Sequence, residues 1–147
     1  MNFEYRIIGK VGFLLIIIGF FMPWLSGTGW VAFVTQENGF QIADGMIGLG
    51  QLIGYGAAIA VGRLMYVWFA FALAGVATGI LLLLKKNVPA IVDWFIVVVC
   101  FAASLVAIYM LHEEADMTIH AGPYVILAGS MIVSITQAIS TIGKEKI

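Results

Sequence analysis

The chain has 147 residues, 63% of them hydrophobic and 10% charged, with a formal net charge of −1 and a mean hydropathy of +1.08. A soluble domain carries roughly 25% charged residues, so this chain has too little polar surface to face water on all sides and takes lipid as its solvent. Its single cysteine, Cys100, excludes an intrachain disulfide. It has no Gly-rich loop leading into Lys-Ser or Lys-Thr, no Cys/His ligand spacing and no basic stripe for nucleic acid. Neither a cofactor nor a nucleic-acid partner is expected.

Ile7–Leu25 is the first expected span, with Lys10 near its start placed to reach the headgroups. A run of about 20 residues rising 1.5 Å each crosses the hydrocarbon. A signal peptide would have a shorter apolar core and a small-x-small cleavage site, where this chain has Pro23-Trp24. Leu64–Leu84 is the second span and ends on Lys85-Lys86. Asn87-Val88-Pro89 makes a tight connection, since proline suits the first turn of a new helix. Pro89–Leu111 is the third span, His112–Ala121 a short polar link, and Gly122–Ile142 the fourth span, closed by Gly143 and Lys144-Glu145-Lys146.

Basic residues collect on the cytoplasmic side of membrane proteins. An inside N-terminus puts Arg6, Lys10, Lys85, Lys86, Lys144 and Lys146 there and leaves only Arg63 outside, together with Glu37, Asp44, Glu113, Glu114 and Asp116. Trp24, Trp30, Tyr66, Trp68, Tyr109 and Tyr124 are expected at the outer interface, and Phe3, Tyr5 and Trp94 at the inner. The expected fold is an all-α integral membrane protein. It is one domain of four transmembrane helices in a plasma (inner) membrane, with both termini cytoplasmic and a long first outer loop, residues 26–63.

That loop is the one elaborated region. Asn38-Gly39 is a short-range hairpin signal, because both turn positions favour positive φ. Pairing Thr35 with Ile42 and Phe33 with Asp44 puts Val31, Phe33, Thr35, Phe40 and Ile42 on one face. A lone two-stranded hairpin is marginal in water. This face therefore either caps the chain's own bundle or, with Trp30, forms a partner-binding surface: Trp30, Val31, Phe33, Phe40 and Ile42. Met46–Gly62 is apolar enough to mimic a span, but its five glycines weaken a helix there. It is expected to lie on the bundle or dip partway into it.

Small residues let helices approach in lipid. Gly75 and Gly79 form Gly-x-x-x-Gly, read as intrachain packing or as an oligomer seam. In the fourth span Ser130, Ser134, Gln137 and Thr141 fall on one stripe, which either bonds to neighbouring helices or lines a narrow polar path. Asp93 suits the start of the third span and is expected to meet Lys85 or Lys86. His112, Asp116 and His120 are the weak candidates for a metal, without a diagnostic spacing. The histidines also offer sensitivity to mild acid.

The layout resembles the claudin-like four-helix class in its cytoplasmic termini, its β-prone first loop holding Gly29-Trp30 and its short second loop; the cysteine pair of claudin loops is absent. Pro23-Trp24, Asn38-Gly39-Phe40 and Gly122-x-Tyr124 look more like small bacterial four-helix membrane proteins. The resemblance implies the architecture and assigns no residue a role. With no reactive side chains in the outer loop, the expected function is a non-catalytic membrane subunit or accessory protein. It docks other membrane subunits, or copies of itself, through its outer loop and helix faces. The alternative is a small transporter or channel using the fourth-span stripe, and an enzyme is not expected.

Overall fold

The four long apolar runs form helices, and a fifth, shorter helix forms where a strand was expected. In a computed structural model that describes residues 2–27, 37–113 and 117–145, the order is α1 (Asn2–Phe21), β1 (Pro23–Gly27), β2 (Glu37–Asn38), α2 (Gly39–Ile53), α3 (Gly56–Leu83), α4 (Ala90–Glu113), β3 (Met117–Ile119) and α5 (Ala121–Glu145). Helices α3, α4 and α5 contain stretches long and apolar enough to cross a membrane: Gly56–Leu83, Ala90–Met110 and Ala121–Ile142. Their outward faces carry Leu64, Ile80, Phe95, Val106 and Ile139 uncovered. Surfaces apolar on the outside as well as the inside belong in lipid, and this is a membrane protein.

The helices α1, α3, α4 and α5 alternate in direction. Close approach fixes the register of α1 against α5: Gly9 lies on Thr136, Gly12 on Gly129 and Val133, and Gly19 on Gly122 and Ile126, so the two run antiparallel along nearly the whole of α1. A Cβ at Gly12 would meet Val133 Cγ2 at 2.5 Å. On its other side α1 sets Phe13 against Gly75 and Lys10 against Gly79 of α3, again antiparallel. Helix α4 runs beside α5, tied by Ser104 to Ser130 and by Trp94 to Thr141. Helix α1 is the axis of the core, with Phe13, Ile16 and Phe20 buried among Trp68, Ala72, Cys100, Ile126 and Val133.

The first helix stops at Phe21 instead of Leu25. Pro23 cannot donate to a helical carbonyl, and the chain turns into β1. Strand β1 is the centre of a small antiparallel sheet in the order β2-β1-β3. Pro23 pairs with Asn38 and Leu25 with Glu37 on one edge, while Leu25, Ser26 and Gly27 pair with Ile119, Thr118 and Met117 on the other. The link after α4 thus contributes a strand. The first loop does return antiparallel on itself, but not through the turn expected.

Asn38-Gly39 is a helix start. The Asn38 side chain accepts from the backbone N–H groups of Phe40 (3.1 Å) and Gln41 (3.0 Å), and the Gln41 side chain accepts from the Asn38 N–H at 2.9 Å. This reciprocal capping arrangement answers three N–H groups at the helix start. Phe40, Ile42 and Asp44 are therefore helical, and the pairing of Thr35 with Ile42 and Phe33 with Asp44 does not form. The rest of the expected hairpin lies outside the described residues.

The glycine-rich segment is helical too. Helix α2 ends where Gly54 takes φ 71°, and α3 begins at Gly56, eight residues before the expected span. The glycines cost helix propensity but admit close contact. Gly50 receives the Tyr55 carbonyl and Ile59, and Gly62 receives the Ala43 carbonyl and Ile47. An α2–α3 hairpin results. At its far end α3 closes with paired backbone bonds, Lys86 N–H to Leu81 O and Lys85 N–H to Leu82 O, both 2.9 Å, which places Lys85 in the left-handed region at φ 56°.

Candidate functional site

Two places on the bundle combine chemistry with position, one at each end. The starts of α1 and α4 and the finish of α3 meet at the basic end. Arg6 and Lys10 stand four apart on α1 and so share a face. Side chains on a helix lean back toward its N-terminus, and both cations reach down to Asp93 in the first turn of α4. Lys10 Nζ donates to Asp93 Oδ1 at 2.7 Å, and Arg6 donates to Asp93 Oδ2 at 2.5 Å and to the Val88 carbonyl at 3.1 Å. Asp93 is 0% exposed and Lys10 7%.

Two sequence expectations are corrected here. Lys10 does not end at the headgroups, because a buried carboxylate lies within its reach. Asp93 pairs with the α1 cations instead of Lys85 or Lys86, which lie exposed past the end of α3. The Lys10 stem packs on Gly79, where a Cβ would meet it at 3.0 Å, and its ammonium lies 5.2 Å from the Phe13 ring centre. A charged hydrogen bond on each carboxylate oxygen answers the charge inside the protein. The cluster clamps α1 to α4.

The other end is aromatic. Phe20 packs on Trp24, Trp68 and Phe69 at centroid separations of 5.4, 5.1 and 5.3 Å, and Phe40 on Phe69 at 4.8 Å. Trp24 and Trp68, expected at the interface, are 2% and 5% exposed. Trp24 lies over Gly122 and donates from its indole to the Gly19 carbonyl at 2.8 Å. Because Trp68 is level with Phe20, the dozen residues of α3 before it extend about 18 Å past the end of α1. Helix α2 lies alongside, and Asp44 accepts from the Tyr66 hydroxyl at 2.6 Å.

The tip of this projecting hairpin is apolar and uncovered among the described residues. Leu52 is 83% exposed, and Leu49, Ile53 and Tyr55 are each more than half exposed. Gly45 and Gly48 have nothing within 4 Å of where a Cβ would stand, so the outer face of α2 is shallow enough for another chain to lie against.

Of the partner-surface residues expected from sequence, Phe40 and Ile42 sit on α2 packed against the core, while Trp30, Val31 and Phe33 lie outside the described residues. Gly75 and Gly79 face α1 within the chain. Gln137 and Ser130 are buried and Ser134 half-buried. The hydroxyls of the α5 stripe bond mostly to their own helix: Ser130 to the Ile126 carbonyl, Ser134 to that of Ser130, and Thr141 to that of Gln137. Ser130 and Ser104 also share a 2.7 Å bond between helices.

Of the three metal candidates, two lie among the described residues. His112 is exposed at the end of α4, and Asp116 lies outside the described residues. His120 Nε2 bonds to Ser26 Oγ at 2.8 Å, while the His120 backbone N–H donates to the Trp24 carbonyl, joining the end of β3 to β1. No group of three His, Cys, Asp or Glu side chains gathers among the described residues.

What sequence reasoning missed is the Arg6–Lys10–Asp93 cluster and the α2 face. Both left traces: paired cations on one face of a span opposite an acid in the first turn of another, and Asn38 followed by Gln41 ahead of an apolar run. No protein-family model, curated protein or solved structure matches the chain.

Proposed function

We propose that the chain is a non-catalytic subunit of a bacterial-type inner membrane, spanning it with α1, α3, α4 and α5. The basic end faces the cytoplasm, and the α2–α3 hairpin stands in the extracytoplasmic space as a docking element for another protein. The observation that carries the reading is the uncovered apolar tip around Leu52, Ile53 and Tyr55, past the level at which α1 ends. Exposed apolar patches of this kind mark interaction sites. The placement of Lys85 and Lys86 beside the Arg6–Lys10 cluster supports the orientation. The α5 hydroxyls, taken up by helix carbonyls and by Ser104, support a packing role over a polar path.

The test is mild-detergent purification from the native membrane, of the wild type and of Leu52→Glu, with mass spectrometry of the companions. The expected result is a defined companion at fixed stoichiometry that Leu52→Glu loses while its melting temperature stays unchanged. A particle holding this chain alone in both preparations, together with solute flux in vesicles that Gln137→Leu abolishes, overturns the reading in favour of a transporter.

A further inference from the structure

At the basic end α1 and α3 leave an open groove of about 200 Å³ between them. Its walls run from Ile7 to Leu14 on α1 and from Leu83 to Val76 on α3, and its floor is the Lys10 stem lying on Gly79. Each wall is eight residues long, seven rises of about 1.5 Å, so the groove is about 10 Å deep along the helix axes. It is open on the lipid side, with Ile80 standing on its rim. Because α1 and α3 are antiparallel, both walls reach their charged ends at the same level: Arg6 precedes Ile7, and Lys85 and Lys86 follow Leu83 by two and three residues. Arg6 and Lys10 share the one carboxylate of Asp93, leaving their positive charge in excess. Among the described side chains, Asp93 is the only acid at this end.

We propose that this groove is a binding site for an anionic phospholipid of the cytoplasmic leaflet. One acyl chain lies along the groove and the phosphate headgroup sits at the mouth against Lys85 and Lys86. An apolar slot parallel to the bilayer normal fits a chain, and the surplus of cations at its mouth selects negative headgroups over zwitterionic ones. Lys85 and Lys86 are free to serve, since both are exposed and Asp93 is occupied by α1. The proposal rests on the membrane orientation given above but needs no protein partner.

The experiment uses the purified full chain in detergent, offered phosphatidylglycerol or phosphatidylcholine, with lipid retention read by native mass spectrometry. The wild type is expected to retain phosphatidylglycerol preferentially. Each lysine removed in Lys85→Gln and Lys86→Gln lowers that preference about fivefold. Ile80→Trp fills the groove and cuts retention of both lipids, and glycerol phosphate, which has no acyl chains, does not compete. Equal retention of the two lipids by the wild type overturns the proposal. So do a preference that survives both lysine substitutions, wild-type retention by Ile80→Trp, and displacement by glycerol phosphate. Because this assay contains the chain alone, its failure is distinct from loss of a companion in the Leu52→Glu preparation.

Discussion

The two ends of the bundle solve opposite problems. At the basic end three charges are drawn inside around one carboxylate: Asp93 holds Arg6 on one oxygen and Lys10 on the other, and glycine at position 79 makes room for the Lys10 stem. At the aromatic end apolar side chains are pushed outward: Leu49, Leu52, Ile53 and Tyr55 crown a hairpin that nothing described here covers. Burying charge costs solvation and is recovered only when the pairs are complete. Exposing apolar area in water costs roughly 25 cal/mol per Å² and is recovered only when something covers it. At the basic end the one buried carboxylate is fully paired, whereas the apolar tip of the hairpin is left uncovered among the described residues.

Breaking the closed end gives the largest effect. Asp93→Leu leaves two buried cations unanswered and is expected to destabilise by about 3–5 kcal/mol, measured by denaturant or thermal unfolding in detergent. Adding Arg6→Met and Lys10→Met to it restores most of that loss, because an all-apolar replacement of a buried ion cluster is close to neutral. A triple variant as unstable as the single one would mean that the cluster does more than clamp two helices.

Gly12→Leu inserts a side chain against the Gly129 carbonyl and Val133, and overpacking of this kind costs about 1–3 kcal/mol. Unchanged stability would place α1 farther from α5 than described. Ser104→Ala removes one interhelical bond, and about 0.6 kcal/mol is expected in a membrane bundle. At the open end Leu52→Glu leaves chain stability within about 0.5 kcal/mol, as befits an exposed site. A large loss there would show that the tip is covered by the chain itself, and the contrast between the ends would fall.

Much of the helical frame was legible because long apolar runs bounded by charges, proline and glycine have few other outcomes. Pro89 and the Lys85-Lys86 pair mark the α3–α4 turn, whereas the expected first span runs on through Pro23 to Leu25, past the point where α1 ends. The misreadings have a common cause. Asn38-Gly39 serves a hairpin turn and a helix start equally well over two residues, and Gln41 decided it by reaching back to the Asn38 N–H. By propensity the glycines of Met46–Gly62 are only a cost, yet at Gly50 and Gly62 they are contact sites whose gain appears only when the second helix is in place. The lysines nearest in sequence are the expected partners of Asp93, while its true partners lie 83 and 87 residues away. Local pattern reports what a segment prefers alone. It carries no information on which distant side chain arrives beside it.

The closest-fitting helix pair has a consequence for the order in which the bundle is made. Helices α1 and α5 interlock through Gly12 and Gly129, and Gly19 and Gly122 extend the seam. Helix α1 leaves the ribosome well before α5, so the seam forms only when synthesis of α5 is complete. Until then the glycine face of α1 is open, and its two cations have no carboxylate until α4 delivers Asp93. Assembly therefore proceeds as two timed captures, first of charge and then of shape, and a chain interrupted before α5 presents its glycine seam to whatever helix is nearby.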